Sequence, residues 1–140
     1  MKFLIDENEF KPLIDPLRMI LPHYEFHHVY DLNLGGTLDL PLFSWMKDNR
    51  YTAIITQDGA QLDNRDERQA LIESGIHWIG RKQLKNLAGM RLVSTAVATY
   101  VAAFPHILEE LEQAIEPMLL RVMNVQAGKQ ERVKASPLRA

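Results

Sequence analysis

Two short apolar runs, Phe3-Leu4-Ile5 and Ala53-Ile54-Ile55, each stop at a carboxylate within three residues, at Asp6 and Asp58. Neither run is long enough for a helix, and both read as buried strands that end in polar groups. Strands of that kind need helices to cover them, and the intervening segments supply the period.

Residues 10–21 set Phe10, Leu13, Ile14, Leu17 and Leu21 at roughly helical spacing, disturbed by Pro12 and Pro16. Residues 24–30 are aromatic and β-branched, follow Pro22, and predict a second strand. Gly35-Gly36-Thr37 is a turn, and residues 40–47 predict a helix with Asp39 just before it. The third strand falls at 52–56, a helix at 63–74 ends at Gly75, and a fourth strand at 76–79 closes at Gly80. Beyond residue 84 the pattern is helical to 104, is interrupted at Pro105, and resumes over 107–115. The alternation argues for an α/β fold: a mostly parallel four-stranded sheet flanked by helices, then a helical C-terminal region. Residues 1–128 form one domain on this reading, and 129–140 a flexible basic tail.

The sequence has no cysteine, which excludes disulfides, thiolate zinc sites and cysteine nucleophiles. Any metal must be held by oxygen or imidazole. No Gly-x-Ser-x-Gly, P-loop or dinucleotide fingerprint occurs. The net charge of -2 conceals a basic run, Arg81, Lys82, Lys85 and Arg91, set against an acidic first half. Arg81, Lys82 and Lys85 are candidate contacts to an RNA backbone, with ordinary solvated surface as the competing reading. The first apolar run is cut at position 6, and residues 92–108 contain Ser94, Thr95, Thr99, Pro105 and His106. The expectation is a cytoplasmic protein without a membrane span.

Parallel sheets gather functional groups beyond the carboxyl ends of their strands. If the first and third strands are neighbours, Asp6, with Glu7 beside it, and Asp58 share one small volume. Asp39, at the start of a helix, and Asp63 are further candidates for the same cleft. Clustered carboxylates repel, and a divalent cation relieves them. Hard Mg²⁺ or Mn²⁺ prefers oxygen ligands and suits phosphodiester hydrolysis, polarising the phosphoryl oxygen and activating water. Each acid alone could equally be a helix cap or turn former. His27-His28 does not make a metal pair, because adjacent residues of a strand face opposite ways.

At these residues the chain resembles the compact PIN-like domains, including relatives of the VapC-type toxin ribonucleases. The resemblance rests on Lys2-Phe3-Leu4-Ile5-Asp6-Glu7-Asn8, on Gly35-Gly36-Thr37-Leu38-Asp39 and on Ile54-Ile55-Thr56-Gln57-Asp58, spanning roughly residues 2–80. It implies a parallel-sheet nuclease fold with an acidic Mg²⁺ or Mn²⁺ pocket, RNA as substrate and an antitoxin protein as partner. Carried over by position, Asp6, Asp39 and Asp58 are the catalytic acids and metal ligands, with Glu7 and Asp63 auxiliary. Asn8 and Thr56 would be hydrogen-bonding supports behind them. Two departures stand out: Gly59-Ala60-Gln61-Leu62 separates Asp58 from Asp63, and Leu40-Pro41 follows Asp39 where relatives carry more acids. They keep open an alternative, a catalytically weakened module that acts by protein–protein binding. The helices beyond residue 84 lie outside the resemblance and could be core, or could present a face to a partner or a second copy.

Overall fold

The computed structural model describes residues 1–57 and 59–139. Five strands form one sheet: β1 (Lys2–Ile5), β2 (Glu25–His28), β3 (Ala53–Thr56), β4 (His77–Arg81) and β5 (Leu119–Val122). All neighbours pair in parallel, in the order β2-β1-β3-β4-β5. The helices are α1 (Ile14–Ile20), α2 (Asp39–Asp48), a single turn α3 (Ala60–Asp63), α4 (Arg65–Ser74) and the long α5 (Gly89–Gln113). The α/β architecture matches the sequence-based expectation, with one strand more than the four expected.

Strand alternation divides the core into two layers. Phe3, Ile5, Ala53, Ile55 and Ile79 meet Leu13 and Leu17 of the α1 region and Tyr100, Phe104 and Leu108 of α5. Phe3, Phe26 and Phe104 close that layer with ring centroids 5.1 to 5.3 Å apart. Leu4, Ile54 and Trp78 point the other way, onto Leu42, Phe43 and Met46 of α2 and Leu62 and Leu71 from α3 and α4. Both sheet faces are covered, as the apolar strands require.

Three boundaries differ from the sequence-based reading. The helix does not stop at Pro105: α5 runs through it, because Tyr100, Phe104, Ile107, Leu108 and Leu111 form one continuous buried stripe. That packing outweighs the roughly 3 kcal/mol an interior proline costs. The same helix is long and apolar enough to cross a membrane by length and composition, but its apolar stripe is spent on the sheet. β4 continues through Gly80 to Arg81, and β5, absent from the sequence-based reading, pairs with it. Met118 anchors that pairing on both sides of its peptide, donating its N–H to His77 Nδ1 at 2.9 Å and accepting from Trp78 N–H at 2.9 Å.

The order of the strands fixes where a site belongs. The chain leaves β1 in one direction to β2 and returns past it to β3, so the connections on either side of the β1–β3 boundary run over opposite faces. Such a switch point opens a crevice at the carboxyl edge, the usual ligand position in open parallel sheets. Asp6 follows β1 there directly, and Thr56 ends β3 beside it.

Candidate active site

Asp6 continues the alternation of β1 and turns to the face of Leu4, toward α2 and α4. Its carboxylate is buried, 6% exposed. Oδ1 accepts the Glu7 backbone N–H at 2.8 Å, and Oδ2 accepts the Thr56 hydroxyl at 2.9 Å. Thr56 shares its single proton with Asn8 Oδ1, 3.1 Å away, and Asn8 Oδ1 also accepts the Gln57 N–H at 3.0 Å. Asn8 and Thr56 thus clamp the ends of β1 and β3 together and aim the Asp6 carboxylate.

Asp39 is the first residue of α2 and lies across the crevice from Asp6. Between them stands Gln61 of α3, fully buried. Its Nε2 donates to Asp39 Oδ1 at 3.0 Å and lies 3.5 Å from Asp6 Oδ2, while Trp78 Nε1 donates to Gln61 Oε1 at 3.2 Å. The indole thus fixes the amide so that both its protons face carboxylates. Gly80 makes room for this arrangement, since a Cβ there would run into the Trp78 ring.

Glu7 points along the rim, where its Oε2 accepts the Gly36 N–H at 3.0 Å. Gly36 takes φ of 77°, a conformation that suits glycine. Asp6, Glu7, Asn8, Asp39 and Glu67 line a cleft of about 430 Å³ together with the Gly36–Pro41 segment. Burial raises the Asp6 carboxyl above its ordinary pKa; the Thr56 and Glu7 hydrogen bonds pull it back, and the charges of Asp39 and Glu7 push it further up.

The expected ligand set needs one correction. Asp63 is exposed at the end of α3 and does not line the cleft; the helical turn that carries Gln61 inward carries Asp63 outward. Glu67, in the first turn of α4 beyond the break at Asn64, takes the position on the wall. Asp58 lies outside the described residues. Among the described residues no three acidic or imidazole groups converge on one point at which an ion would sit. The chemistry of the cleft nonetheless suits a hard cation: its charged groups are all oxygen donors, and the Gln61 amide lies between two of them as a donor of partial positive charge.

Arg81 also needs correction as a candidate RNA contact. It shares the strand parity of Ile79, faces α5, and its side chain is fully buried. Arg81 Nη2 and Nε donate to Glu9 Oε1 and Oε2 at 2.7 and 3.0 Å, and the Tyr100 hydroxyl donates to Glu9 Oε2 at 3.0 Å. Burial, then the Glu9 charge, pushes the Tyr100 hydroxyl strongly up, so it stays a donor. Gln57 Nε2 adds a bond to Glu9 Oε1 at 3.2 Å, tying this buried cluster to the floor of the crevice. Lys82 and Lys85, by contrast, are exposed.

His27 and His28 take opposite faces. His27 Nδ1 meets the Tyr51 hydroxyl at 2.7 Å. His28 accepts the Tyr30 N–H on Nδ1 at 3.2 Å, so its Nε2 carries the proton and donates to the Glu9 carbonyl 3.0 Å away. Both serve the scaffold.

Sequence reasoning missed Glu9, Gln61 and Glu67. Parity would have exposed the first, because Arg81 continues the buried face of Ile79 and a buried cation needs a carboxylate. Asn64, a capping residue that sets Asp66 and Glu67 in the first turn of α4, was the available signal for Glu67. Nothing in the sequence announces Gln61, whose role depends on the Trp78 indole.

No curated protein and no solved structure matches the chain significantly. An acidic pair at the switch point of a parallel sheet, supported from β3 by a hydroxyl, falls wholly within residues 1–83, the segment that matches the PIN like domain family. That match covers more than half of the chain, which therefore belongs to this family of nuclease type.

Proposed function

We propose that the protein is a metal-dependent endoribonuclease, the toxin of a toxin–antitoxin pair acting in the cytoplasm. The observation that carries this reading is the pair Asp6 and Asp39, facing each other across the switch-point crevice with the Gln61 amide between them. In this proposal Asp6, Asp39 and Asp58 hold Mg²⁺ or Mn²⁺, with Glu7 and Glu67 on the wall. Bound there, the ion supplies Lewis-acid polarisation of a phosphoryl oxygen and a water of lowered pKa. The chain contributes the rest. Thr56 and the Glu7 N–H keep the Asp6 carboxylate oriented, and Trp78 restrains the Gln61 amide. The Asp6 pKa is raised chiefly by burial, with a smaller contribution from the Asp39 and Glu7 charges, and it is that contribution which a cation relieves.

The test is cleavage of a fluorescent single-stranded RNA in Mn²⁺, comparing wild type with Asp6→Asn and Asp39→Asn. Loss of cleavage in both, with circular dichroism unchanged, supports the reading. Unaltered cleavage in both contradicts it.

A second reading has its own observation. The Gln61 amide already satisfies the two acids, and α5 and β5, beyond the matched segment, form an apolar groove of about 420 Å³ around Ala103, Ile107, Leu120 and Val122. A binding module that engages a protein partner through that groove and cleaves nothing fits these features. Cognate-partner binding by a protein that takes up neither Mn²⁺ nor RNA favours it.

A further inference from the structure

The carboxyl edge of the sheet carries three clefts that share walls. The acidic cleft includes Asn8. A second, of about 460 Å³, joins Asn8 to Gln57 and Gln83. A third, of about 710 Å³, takes Gln57 and Gln83 onward to Lys82, Lys85, Arg121 and Asn124. Together they form one groove from the end of β1 past β3 and β4 to β5, three strand spacings or roughly 14 Å. Its chemistry changes along its length from carboxylates, through neutral amides, to cations.

Among the described residues the basic end has no acid in its lining. Lys82, Lys85 and Arg121 are exposed, and none of them is in an ion pair among the described residues. Arg121 comes from β5, outside the matched segment. A polyanion therefore has a reason to enter at β5 and none to enter at the acids. A phosphodiester chain uses the whole groove when a cation at the acidic end bridges one of its phosphates to the carboxylates.

Resting on the ribonuclease reading above, we propose that single-stranded RNA lies along this groove, its phosphates on Lys82, Lys85 and Arg121. Asn8, Gln57 and Gln83 line the stretch that the intervening nucleotides cross, and a phosphodiester a few nucleotides away reaches Asp6 and Asp39. Three phosphate contacts on a single strand predict that log K falls with log salt at a slope of about −2.

The experiment is fluorescence anisotropy of a labelled oligouridylate in EDTA, where binding is read without cleavage, across a salt series. The pairs compared are Lys82→Glu with Arg121→Glu, the milder Lys82→Gln with Arg121→Gln, and a control in the basic tail, Lys129→Glu with Arg132→Glu. The proposal expects both groove pairs to lose about tenfold or more in affinity, with the slope shallower by about 1.4, and the tail pair to match wild type. Wild-type affinity in the groove pairs, an equal loss in the tail pair, or displacement of RNA by polyglutamate at matched charge overturns it. The two readings separate cleanly. Groove-dependent binding without cleavage in Mn²⁺ keeps the groove and removes the nuclease, whereas cleavage by the groove variants at the wild-type rate does the reverse.

Discussion

Gln61 donates a side-chain amide proton to Asp39 Oδ1 at 3.0 Å, and the same nitrogen lies 3.5 Å from Asp6 Oδ2. A neutral amide thus occupies the gap between two acids, where a cation would lower their repulsion more effectively. Gln61→Glu keeps the shape and replaces two donors with a third carboxylate. It should tighten Mn²⁺ binding about tenfold and lower the metal-free melting temperature by several degrees, the shift that about 1–2 kcal/mol produces. Calorimetric titration and thermal melting with and without Mn²⁺ read both effects. Weaker Mn²⁺ binding in this variant contradicts the role given to Gln61.

Asp6 gives a pH dependence of definite sign. Its carboxyl sits above its ordinary pKa of 3.8, chiefly through burial, so the folded protein keeps that proton to higher pH than the unfolded chain does. The associated stability is complete below pH 3.8 and is lost as the pH rises through the raised value. Asp6→Asn should therefore melt higher than wild type at neutral pH, and the gap should close on acidification. A gap that widens toward acid pH would show the opposite sign.

The Glu9–Arg81 pair predicts strong non-additivity. Arg81→Met leaves the Glu9 carboxylate buried without its guanidinium, a loss of about 3–5 kcal/mol. Glu9→Gln in the same background should recover a large part of it. Urea unfolding of the two single variants and the double variant measures the coupling, and additive losses would mean that the two side chains do not act as a unit.

Gly80→Ala tests the support behind Gln61. A methyl group at position 80 meets the Trp78 ring, so the indole must shift and its N–H bond to Gln61 must lengthen. The expected loss is about 1–3 kcal/mol in unfolding free energy, with a change in tryptophan fluorescence that Mn²⁺ then alters further. An unchanged spectrum and melting point would mean that the indole is not held as described.

The parts of this fold that were legible in the sequence are those written in short-range pattern. Lys2–Ile5 reads as a strand because its apolar run is cut by Asp6, and Ala53–Thr56 reads as one in the same way. β5 escaped because Leu119–Val122 is four residues long, follows Pro117, and owes its place to pairing with β4, whose His77 Nδ1 accepts the Met118 N–H. The break expected at Pro105 failed because a local penalty was weighed without the tertiary packing of Phe104 and Ile107. In the site, Asp6 and Asp39 were legible as acids at element ends. Arg81 was misread as surface because its charge was noticed before its parity. Gln61 was beyond reach, since a glutamine between a glycine turn and a leucine signals nothing until Trp78 is seen against it.

The central claim is that the switch-point acids hold a divalent cation, and isothermal titration of Mn²⁺ into wild type and Asp6→Asn addresses it most directly. The account predicts saturable binding to the wild type, weakened in Asp6→Asn by about a hundredfold or more, a loss at least as large as that from removing a supporting group behind a metal ligand. Absent binding to the wild type, or equal binding to both proteins, would contradict it.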